Sequence, residues 1–450
     1  MKRTSLAPTV VLPVYAFLAA IIIGAGFLHH RAATVSGGLS WLDAVFTATS
    51  AVCVTGLSVV DTGASFTPLG KGVILGLIQL GGLGIMTYST LAFYLLRRRI
   101  TLTDRIAVGQ ALLHDPSFQL GPFLLRIGLL TACVEGSGAL LLYTLDPVAF
   151  HPASAVFHAI SAFCNAGFSL FSDSLVAWRG HLGINLVFMA LIILGGLGFA
   201  VIDDVLAWAG RGKAPPGKRR LSRHTRIVLE TTMFLLALGF AAIYISELHG
   251  GNLGDNAWTD ILAALFQSVT ARTAGFNTLD VGGMTNAALL FLLVLMYVGG
   301  SPGSCAGGIK TTTARVLIAF AKARVHGSDQ VVINGRAVDK GSLDKALTLF
   351  FFSSAAIVAA LVIMTFTEGG DLPHPMVRGK FLELLFEIVS AFGTVGLSTG
   401  VTPYLSPAGK CVIIALMFIG RLGPIWLLTV VHSWQRQPRF RYPEEETTIG

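Results

Sequence analysis

The chain has 450 residues, of which 53% are hydrophobic and only 12% are charged, with a formal net charge of +8. Its mean hydropathy of +0.72 exceeds the usual range of soluble domains, so lipid is the expected solvent. The basic residues fall in separate connections rather than along one amphipathic face, which argues against nucleic-acid binding.

Eight apolar stretches approach the roughly 20 residues that a helix needs to span a bilayer. The first follows Lys2 and Arg3, and because it lacks a small-residue cleavage site before a polar domain, we interpret it as an uncleaved helix rather than a signal peptide. The stretches form four pairs, whose first members are about 8–28, 122–145, 226–245 and 345–366. The second members are about 70–96, 182–208, 287–321 and 409–434.

A short motif recurs between the two members of each pair. Its copies are FTATSAVCVTGLS (46–58), FHAISAFCNAGFS (157–169), FQSVTARTAGFNT (266–278) and FEIVSAFGTVGLS (386–398). The apolar segment before each motif glycine has only about 10 to 14 residues, so it should enter the membrane and return. A tight interhelical turn is the alternative, but recurrence roughly every 110 residues favours four structural repeats.

The sequence therefore predicts an all-α polytopic membrane protein built from four helix, pore-loop and helix repeats. Eight transmembrane helices and four re-entrant pore helices would surround a pseudo-fourfold central pore. The repeats would occupy residues 1–112, 113–222, 223–335 and 336–450, the last with a cytoplasmic C-terminal tail.

A second mark, rich in glycine, begins about 25 residues after each motif glycine. It reads GGLG at 81–84 and 195–198, GGSPG at 299–303, and GRLG at 420–423. Close helix packing is our interpretation of the first two copies. The density of Gly and Pro in the third predicts a loop at membrane depth, because a continuous helix would not favour it.

Four irregular loops inside a bilayer imply a shared aqueous axis, which their carbonyl oxygens can line. Such carbonyls replace the hydration shell of a monovalent cation, and the negative ends of the short helices favour a cation there. Asp43 and Asp260 begin two of these helices, where they could cap the helix or attract cations at the external mouth.

Basic connections alternate along the chain, which predicts a cytoplasmic N-terminus and C-terminus by the positive-inside rule. The cytoplasmic clusters would be Arg97–Arg99, the segment 211–226, the segment 315–345, and Arg436, Arg439 and Arg441. In the third of these, VVINGRAVD predicts a small hairpin that turns at Asn334 and Gly335. The five cysteines have no metal-ligand spacing and are interpreted as packing residues.

The copies VTGLS, NAGFS, TAGFN and TVGLS, together with SPGSCAGGIKTTT and GRLGP, resemble the Trk/Ktr/HKT superfamily of potassium transporters. The eight-span length is most similar to the Ktr membrane subunits. The resemblance implies an ion-binding filter at Val54, Thr55, Gly56, Asn165, Ala166, Gly167, Thr273, Ala274, Gly275, Thr394, Val395 and Gly396. In plant relatives that prefer sodium a serine can replace the first glycine, so Gly56 favours potassium.

The resemblance also implies an intramembrane gate within residues 299–313, whereas a static kink is the alternative. The gate residues would be Gly299, Gly300, Ser301, Pro302, Gly303, Ser304, Gly307, Gly308 and Lys310. Arg421 would lie beside the pore below the filter, since a permanent charge at that depth needs a partner or water. Glu135, Glu230 and Glu387 are interpreted as polar contacts between helices, with coupling-ion binding as the alternative.

The same resemblance implies a homodimer in the lipid bilayer of a bacterial inner membrane, seated on a ring of cytosolic nucleotide-binding regulatory subunits. The transported ion would be K⁺, with Na⁺ as a coupling ion or as the permeant ion left open and no covalent cofactor expected. An organic-solute carrier would need ligand-specific midplane groups, and an enzyme would need a nucleophile with a base or a metal cluster. Neither pattern occurs in the sequence, so we predict a transporter that is not an enzyme.

Overall fold

A computed structural model of the chain describes residues 8–83, 120–210, 220–251, 256–369 and 379–423, together with Pro373 and Val377. The helices of the first half are α1 (Pro8–His29), α2 (Trp41–Val52), α3 (Thr62–Ser65), α4 (Pro68–Gly82), α5 (Leu120–Leu145), α6 (Pro152–Phe163), α7 (Leu182–Leu197) and α8 (Phe199–Gly210). Those of the second half are α9 (Arg223–Gly250), α10 (Ala257–Thr270), α11 (Asn286–Tyr297), α12 (Thr311–Val325), α13 (Lys340–Gly369), α14 (Lys380–Gly393) and α15 (Pro407–Leu422).

Each quarter of the chain supplies a first helix, a short helix, an irregular loop with the motif glycine, and a second helix. The four short helices have 12, 12, 14 and 14 residues, in the range that the sequence predicts. Side-chain caps fix three of their starting points; Ser40, for example, accepts a hydrogen bond from the Asp43 amide at 3.1 Å. All four short helices are largely buried.

The packing of the quarters closes into a ring. Within each quarter the short helix packs on the first helix, as α2 does on α1 and α14 on α13. Between quarters the second helix packs on the next short helix, in the pairs α4 with α6, α7 with α10, α11 with α14, and α15 with α2. Because the last pair returns to the first quarter, the four loops are brought to one common axis.

Apolar side chains face outward from this ring as well as inward. Ile22, Leu125, Phe234 and Phe351 are examples of large hydrophobic side chains that are more than half exposed, as lipid-facing residues are expected to be. By length and hydropathy, segment 125–145 of α5, α9 and α13 could each cross a bilayer, as could the bent pair α7 and α8. The predicted count of eight spans stays a prediction.

The second helix of the second quarter differs from its prediction as one helix over 182–208. It breaks at Gly198, which has φ +82°, and α7 and α8 meet at a bend of 103°. A Cβ on Gly198 would lie 2.9 Å from Ser301 Oγ, so the break is where another loop of the chain packs closely. The sequence GGLG does not reveal it, since packing glycines and helix-ending glycines look alike.

The third quarter has the predicted interruption. α11 ends at Tyr297 and α12 begins at Thr311, so residues 298–310 form a non-helical segment, here named the inner loop. The predicted hairpin is also present, with strands β1 (Val332–Ile333) and β2 (Arg336–Ala337). Asn334 and Gly335 form its turn, both with positive φ.

Several predicted features lie outside the described residues. These are the end of the first GGLG at Gly84, the basic cluster Arg97–Arg99, most of the segment 211–226, and the C-terminal tail beyond Gly423. The second helices of the first and fourth quarters are described to Gly82 and Leu422 only.

Candidate functional site

Four short irregular segments, here named the glycine loops, meet at the axis of the ring. They are residues 53–58, 164–169, 271–277 and 394–398, and each follows directly on the C-terminal end of a short helix. Their backbones share one unusual feature, because the residue two positions before each motif glycine has positive φ. These residues are Val54, Asn165, Thr273 and Thr394, with φ of 55°, 58°, 72° and 51°.

Three of these four residues are β-branched, and for such residues positive φ costs about 1 to 3 kcal/mol. Surroundings that over-determine the conformation are needed to hold it, and all four residues are buried. The Oγ1 atoms of Thr55, Thr273 and Thr394 have no hydrogen-bond partner in the part of the chain that the structure describes. Strained backbone conformations of this kind cluster at functional sites, which makes the four loops the candidate site.

The motif glycines join the four loops into a closed ring. All four have φ between 70° and 93°, a region that other residues adopt only at a cost. A Cβ added to any of them would lie 2.9 Å or less from the carbonyl oxygen of the residue before the next motif glycine. The four contacts are Gly56 with Ala166, Gly167 with Ala274, Gly275 with Val395, and Gly396 with Thr55.

Hydrogen bonds hold the first, second and fourth glycine loops in the same way, whereas the third glycine loop is held differently. In these three loops a serine lies six residues before the glycine, at Ser50, Ser161 and Ser390. The carbonyl oxygen of each serine accepts a hydrogen bond, at 2.7 to 2.9 Å, from the amide of the residue just before the glycine. Val269 occupies this position in the third loop, where the Ala274 amide bonds to Thr270 instead, at 2.9 Å. In the third copy the Ser/Thr position, Thr270, precedes the glycine by five residues rather than six. This difference changes the bonding of the loop but not its place in the ring.

An open cavity of about 480 Å³ lies on one side of the ring. All four motif glycines line it, and so do the carboxylate residues Asp61 and Asp280. Sequence reasoning missed these two acids, because each lies a few residues beyond its motif in a segment without periodicity. A polar cavity with carboxylates at the edge of a carbonyl ring can concentrate cations.

Asp43 and Asp260, for which the sequence left helix capping and cation attraction open, are engaged in ion pairs. Asp43 lies 2.7 Å from Lys410 Nζ, and Asp260 lies 2.8 Å from an Arg179 guanidinium nitrogen. Both bonds connect a short helix to the second-helix region of the preceding quarter. The two aspartates therefore clamp neighbouring quarters together.

The inner loop lies against the glycine loops. A Cβ on Gly307 would overlap with the side chain of Thr394, and one on Gly299 would lie 3.2 Å from Thr273 Cγ2. The loop is also fastened to the end of α7, since the amides of Ser301 and Cys305 donate to Gly196 and Gly195 at 3.0 and 3.2 Å. The inner loop thus contacts the third and fourth glycine loops.

Arg421 joins the inner loop to the first quarter. It is 8% exposed, and its guanidinium donates hydrogen bonds to the carbonyl oxygens of Cys305 and Gly81. Its buried charge is therefore met by two backbone dipoles. Lys310, at the other end of the loop, donates to the carbonyl oxygen of Ala306. Two basic side chains thus hold the inner loop, Lys310 from within it and Arg421 from the fourth quarter.

Close contacts explain why the glycine-rich segments of the second helices begin at a nearly fixed distance after the motif glycines. A Cβ on Gly81, Gly195 or Gly420 would overlap with the carbonyl oxygen of Val52, Phe163 or Phe392 respectively, each at the end of a short helix. These glycines let the second helix approach the base of the glycine loop, as the packing interpretation predicts.

Of the three acids predicted to make polar contacts between helices, Glu135 makes one, whereas Glu230 and Glu387 bond to other partners. Glu135 accepts a hydrogen bond from Gln79 at 3.3 Å, and Glu230 pairs with Arg226 and with Asn334 of the hairpin. Glu387 bonds to residues that follow the fourth motif glycine, including Thr402 at 2.7 Å. Of the cysteines, Cys53, Cys164 and Cys305 are buried as predicted for packing residues, whereas Cys133 and Cys411 are exposed.

Comparison with solved structures identifies the fold. The potassium transporter TrkH from Vibrio parahaemolyticus superposes with a TM-score of 0.75 over 96% of this chain and 87% of its own, at 18% sequence identity. The family of TrkH cation transport proteins matches residues 129–437. This family consists of membrane ion transporters and not of enzymes. The chain belongs to the TrkH family of cation transport proteins, which includes the Ktr proteins below.

Relatives resemble the chain over nearly its full length. It is 40% identical to the Ktr system potassium uptake protein B of Bacillus subtilis, over 100% of this chain and 98% of the relative. It is 36% identical to the potassium/sodium uptake protein NtpJ of Enterococcus hirae, over 96% and 95%. The Ktr system potassium uptake protein B of Vibrio alginolyticus is 37% identical, over 96% and 93%.

Proposed function

We propose that this protein takes up potassium ions across a bacterial plasma membrane through the carbonyl oxygens of the four glycine loops. The cyclic approach of each motif glycine to the carbonyl before the next is the observation that carries this proposal. The printed names of the B. subtilis and V. alginolyticus relatives, both potassium uptake proteins, agree with it.

The proposed ion-binding filter comprises the three residues of each loop that end at its motif glycine. Their carbonyl oxygens would replace the water that a potassium ion loses on entering. Two further features favour a cation there, because the short helices end at the ring with their negative poles and Asp61 and Asp280 lie at the cavity. The side of the ring with the cavity would then face outward.

The inner loop is the proposed gate, and Arg421 is the proposed barrier below the filter. Support comes from the position of the loop against Thr273 and Thr394 and from its lack of regular structure between two helices. Hydrogen bonds to Gly195, Gly196 and the Arg421 guanidinium would hold it closed, and their exchange would let it move aside.

The proposed assembly is a homodimer in the bilayer, on a ring of cytosolic nucleotide-binding regulatory subunits, with both termini cytoplasmic. The relatives named as parts of a Ktr system support a multi-subunit assembly. Cross-linking and native mass measurement of the purified protein test it, and a strictly monomeric protein would contradict it.

Growth and rubidium uptake in cells that lack their own potassium uptake systems test the transport itself. The wild-type protein, supplied with a regulatory subunit, should restore growth at low potassium. Gly56→Ser should reduce the preference for rubidium over sodium, because Gly56 has φ +93° and its Cβ would lie 2.5 Å from the Ala166 carbonyl. No uptake by the wild type under these conditions would contradict the proposal.

Sodium is the second candidate, either as a coupling ion or as a permeant ion. The name of the E. hirae relative, a potassium/sodium uptake protein, favours it, and so does the different bonding of the third loop. Uptake of rubidium measured with and without external sodium separates the two roles. Dependence on sodium indicates coupling, whereas competition by sodium indicates a shared path.

A further inference from the structure

One position of the repeated motif carries a buried polar side chain in every short helix. It directly follows the motif phenylalanine and precedes the motif glycine by eight or nine residues. The four residues are Thr47, His158, Gln267 and Glu387, and none is more than 1% exposed. A polar side chain at this depth requires partners, and the partners differ between the quarters.

Glu387 binds the chain that returns from the fourth glycine loop. Its Oε1 accepts hydrogen bonds from the Ser398 hydroxyl and from the Thr399 amide, the latter at 3.3 Å. Its Oε2 accepts from the Thr402 hydroxyl at 2.7 Å. The carboxylate is therefore used as an acceptor for three donors that follow Gly396.

His158 does the same in the second quarter. The Leu170 amide donates to its Nε2 at 3.2 Å, and the Ser169 hydroxyl lies at 3.2 Å from the same nitrogen. Because a backbone amide can only donate, Nε2 is the acceptor and the proton lies on Nδ1, which bonds to the Ser154 carbonyl at 2.8 Å. Phe171 stacks on the imidazole at a centroid distance of 4.7 Å and holds its plane.

The two sets of bonds correspond atom for atom. In both, the side chain accepts from the serine two residues after the motif glycine and from the next amide. In both, that serine also accepts an amide two residues further on, from Phe171 at 3.0 Å and from Gly400 at 2.9 Å. An imidazole and a carboxylate thus perform one task in opposite members of the ring.

The remaining two quarters lack this connection. Thr47 donates to the Asp43 carbonyl within its own helix at 2.8 Å. Gln267 reaches the returning chain only through a 3.5 Å contact with the Leu279 carbonyl, four residues after the glycine. Among the described residues, this side chain of the short helix therefore bonds to the serine and amide after the glycine in two opposite loops, whereas Asn277 of the third loop bonds to Ser174 and Leu175 instead.

We propose that His158 and Glu387 are positioning residues that fix the second and fourth glycine loops and thereby set the ion selectivity of the ring. The inference rests on the proposed function of the ring as a potassium filter. Each residue holds the serine and amide that follow a motif glycine, so loss of the acceptor frees the carbonyls before that glycine to adjust. A ring that adjusts its size discriminates less between potassium and the smaller sodium ion.

Paired substitutions of the full-length protein test whether an acceptor at this position matters. His158→Phe keeps a ring that can stack on Phe171 but removes the acceptor, whereas His158→Gln retains one. Glu387→Met and Glu387→Gln form the corresponding pair. The acceptor-free variants should lower the ratio of rubidium to sodium uptake by about tenfold, the factor expected for one lost hydrogen bond, and the Gln variants should lose less.

Thr47→Val is the matched control, since Thr47 has the same place in its helix without a bond to the returning chain. It should leave the ratio unchanged. If the acceptor-free proteins do not accumulate, Ser398→Ala removes the donor from the other side and should lower the ratio too.

An unchanged ratio in both acceptor-free variants, or in Ser398→Ala when those proteins are not obtained, would overturn the proposal, even if protein amount or maximal rate fell. These results are distinct from a failure of the proposed function, in which the wild type itself would take up no rubidium.

Discussion

The ring of glycine loops and the inner loop lie in contact, yet they are built on opposite principles. The ring takes one loop from each quarter, and each loop repeats the same positive-φ residue and glycine. The inner loop comes from the third quarter alone and is held by Arg421 from the fourth. The difference fits the proposed function: a cation filter needs oxygens on all sides and therefore gains from symmetry, whereas a gate needs a single element that can move without unfolding the others.

The largest expected effect comes from breaking the symmetric part. Gly396→Ala places a methyl group onto the Thr55 carbonyl oxygen in a backbone at φ +91°. Neither the strain nor the overlap can relax without moving the neighbouring loop. Backbone strain and steric overlap each cost about 1 to 3 kcal/mol, so rubidium uptake should fall by at least about thirtyfold.

Gly251→Ala provides the matched control. Gly251 has φ +78°, and no atom of the described residues lies within 4 Å of an added Cβ, so the substitution has the strain without an overlap among them. Uptake by this variant should stay within about a factor of three of the wild type. Equal losses in the two proteins would mean that backbone strain alone, and not closure of the ring, explains the effect.

The second effect addresses the asymmetric part. Arg421→Ala removes two hydrogen bonds that join the inner loop to the first and fourth quarters, each worth about 1.5 to 3 kcal/mol for a charged donor. The loop should open more readily, so rubidium uptake without a regulatory subunit should rise by at least about tenfold, the factor for one such bond at its lower limit, while the assembly stays intact.

Arg126→Ala is the corresponding control, because Arg126 is exposed on α5. It should transport as the wild type does. Wild-type kinetics in Arg421→Ala as well would remove the barrier role from Arg421 and weaken the distinction between ring and inner loop.

The symmetric part could be predicted from the sequence and the asymmetric contacts could not. The glycines at 56, 167, 275 and 396 meet the same backbone requirement in each repeat. Four copies of one motif therefore predict four equivalent loops and the approximate lengths of the short helices before them. Asn334 and Gly335 likewise reveal the hairpin through turn chemistry. Local patterns of this kind need no knowledge of distant partners.

Contacts between quarters lie beyond such patterns. Arg179 and Asp260 are 81 residues apart, and Lys410 and Asp43 are 367 apart, so no local period connects them. The break at Gly198 depends on the approach of Ser301 from another quarter. The correspondence of His158 with Glu387 was visible in the aligned motif copies, but only the shared hydrogen bonds give it a meaning.

The smallest effect concerns the two ion pairs that join neighbouring quarters, Arg179 with Asp260 and Lys410 with Asp43. The Arg179 and Asp260 side chains are 27% and 3% exposed, and those of Lys410 and Asp43 are 15% and 23% exposed, so neither pair is fully buried. Partly exposed ion pairs contribute about 1 kcal/mol at most, which salt reduces further. Lys410→Met should therefore lower the melting temperature in detergent by about one to three degrees, with unchanged ion selectivity.

A double-mutant cycle with Asp43→Asn isolates the pair from other effects of each substitution. The two changes should be less than additive, and the difference should shrink as salt is raised. Strict additivity would show that the clamp contributes nothing to stability. A change in the ratio of rubidium to sodium uptake would instead show that the outer ends of the short helices, and not only the bonds behind the loops, position the ring.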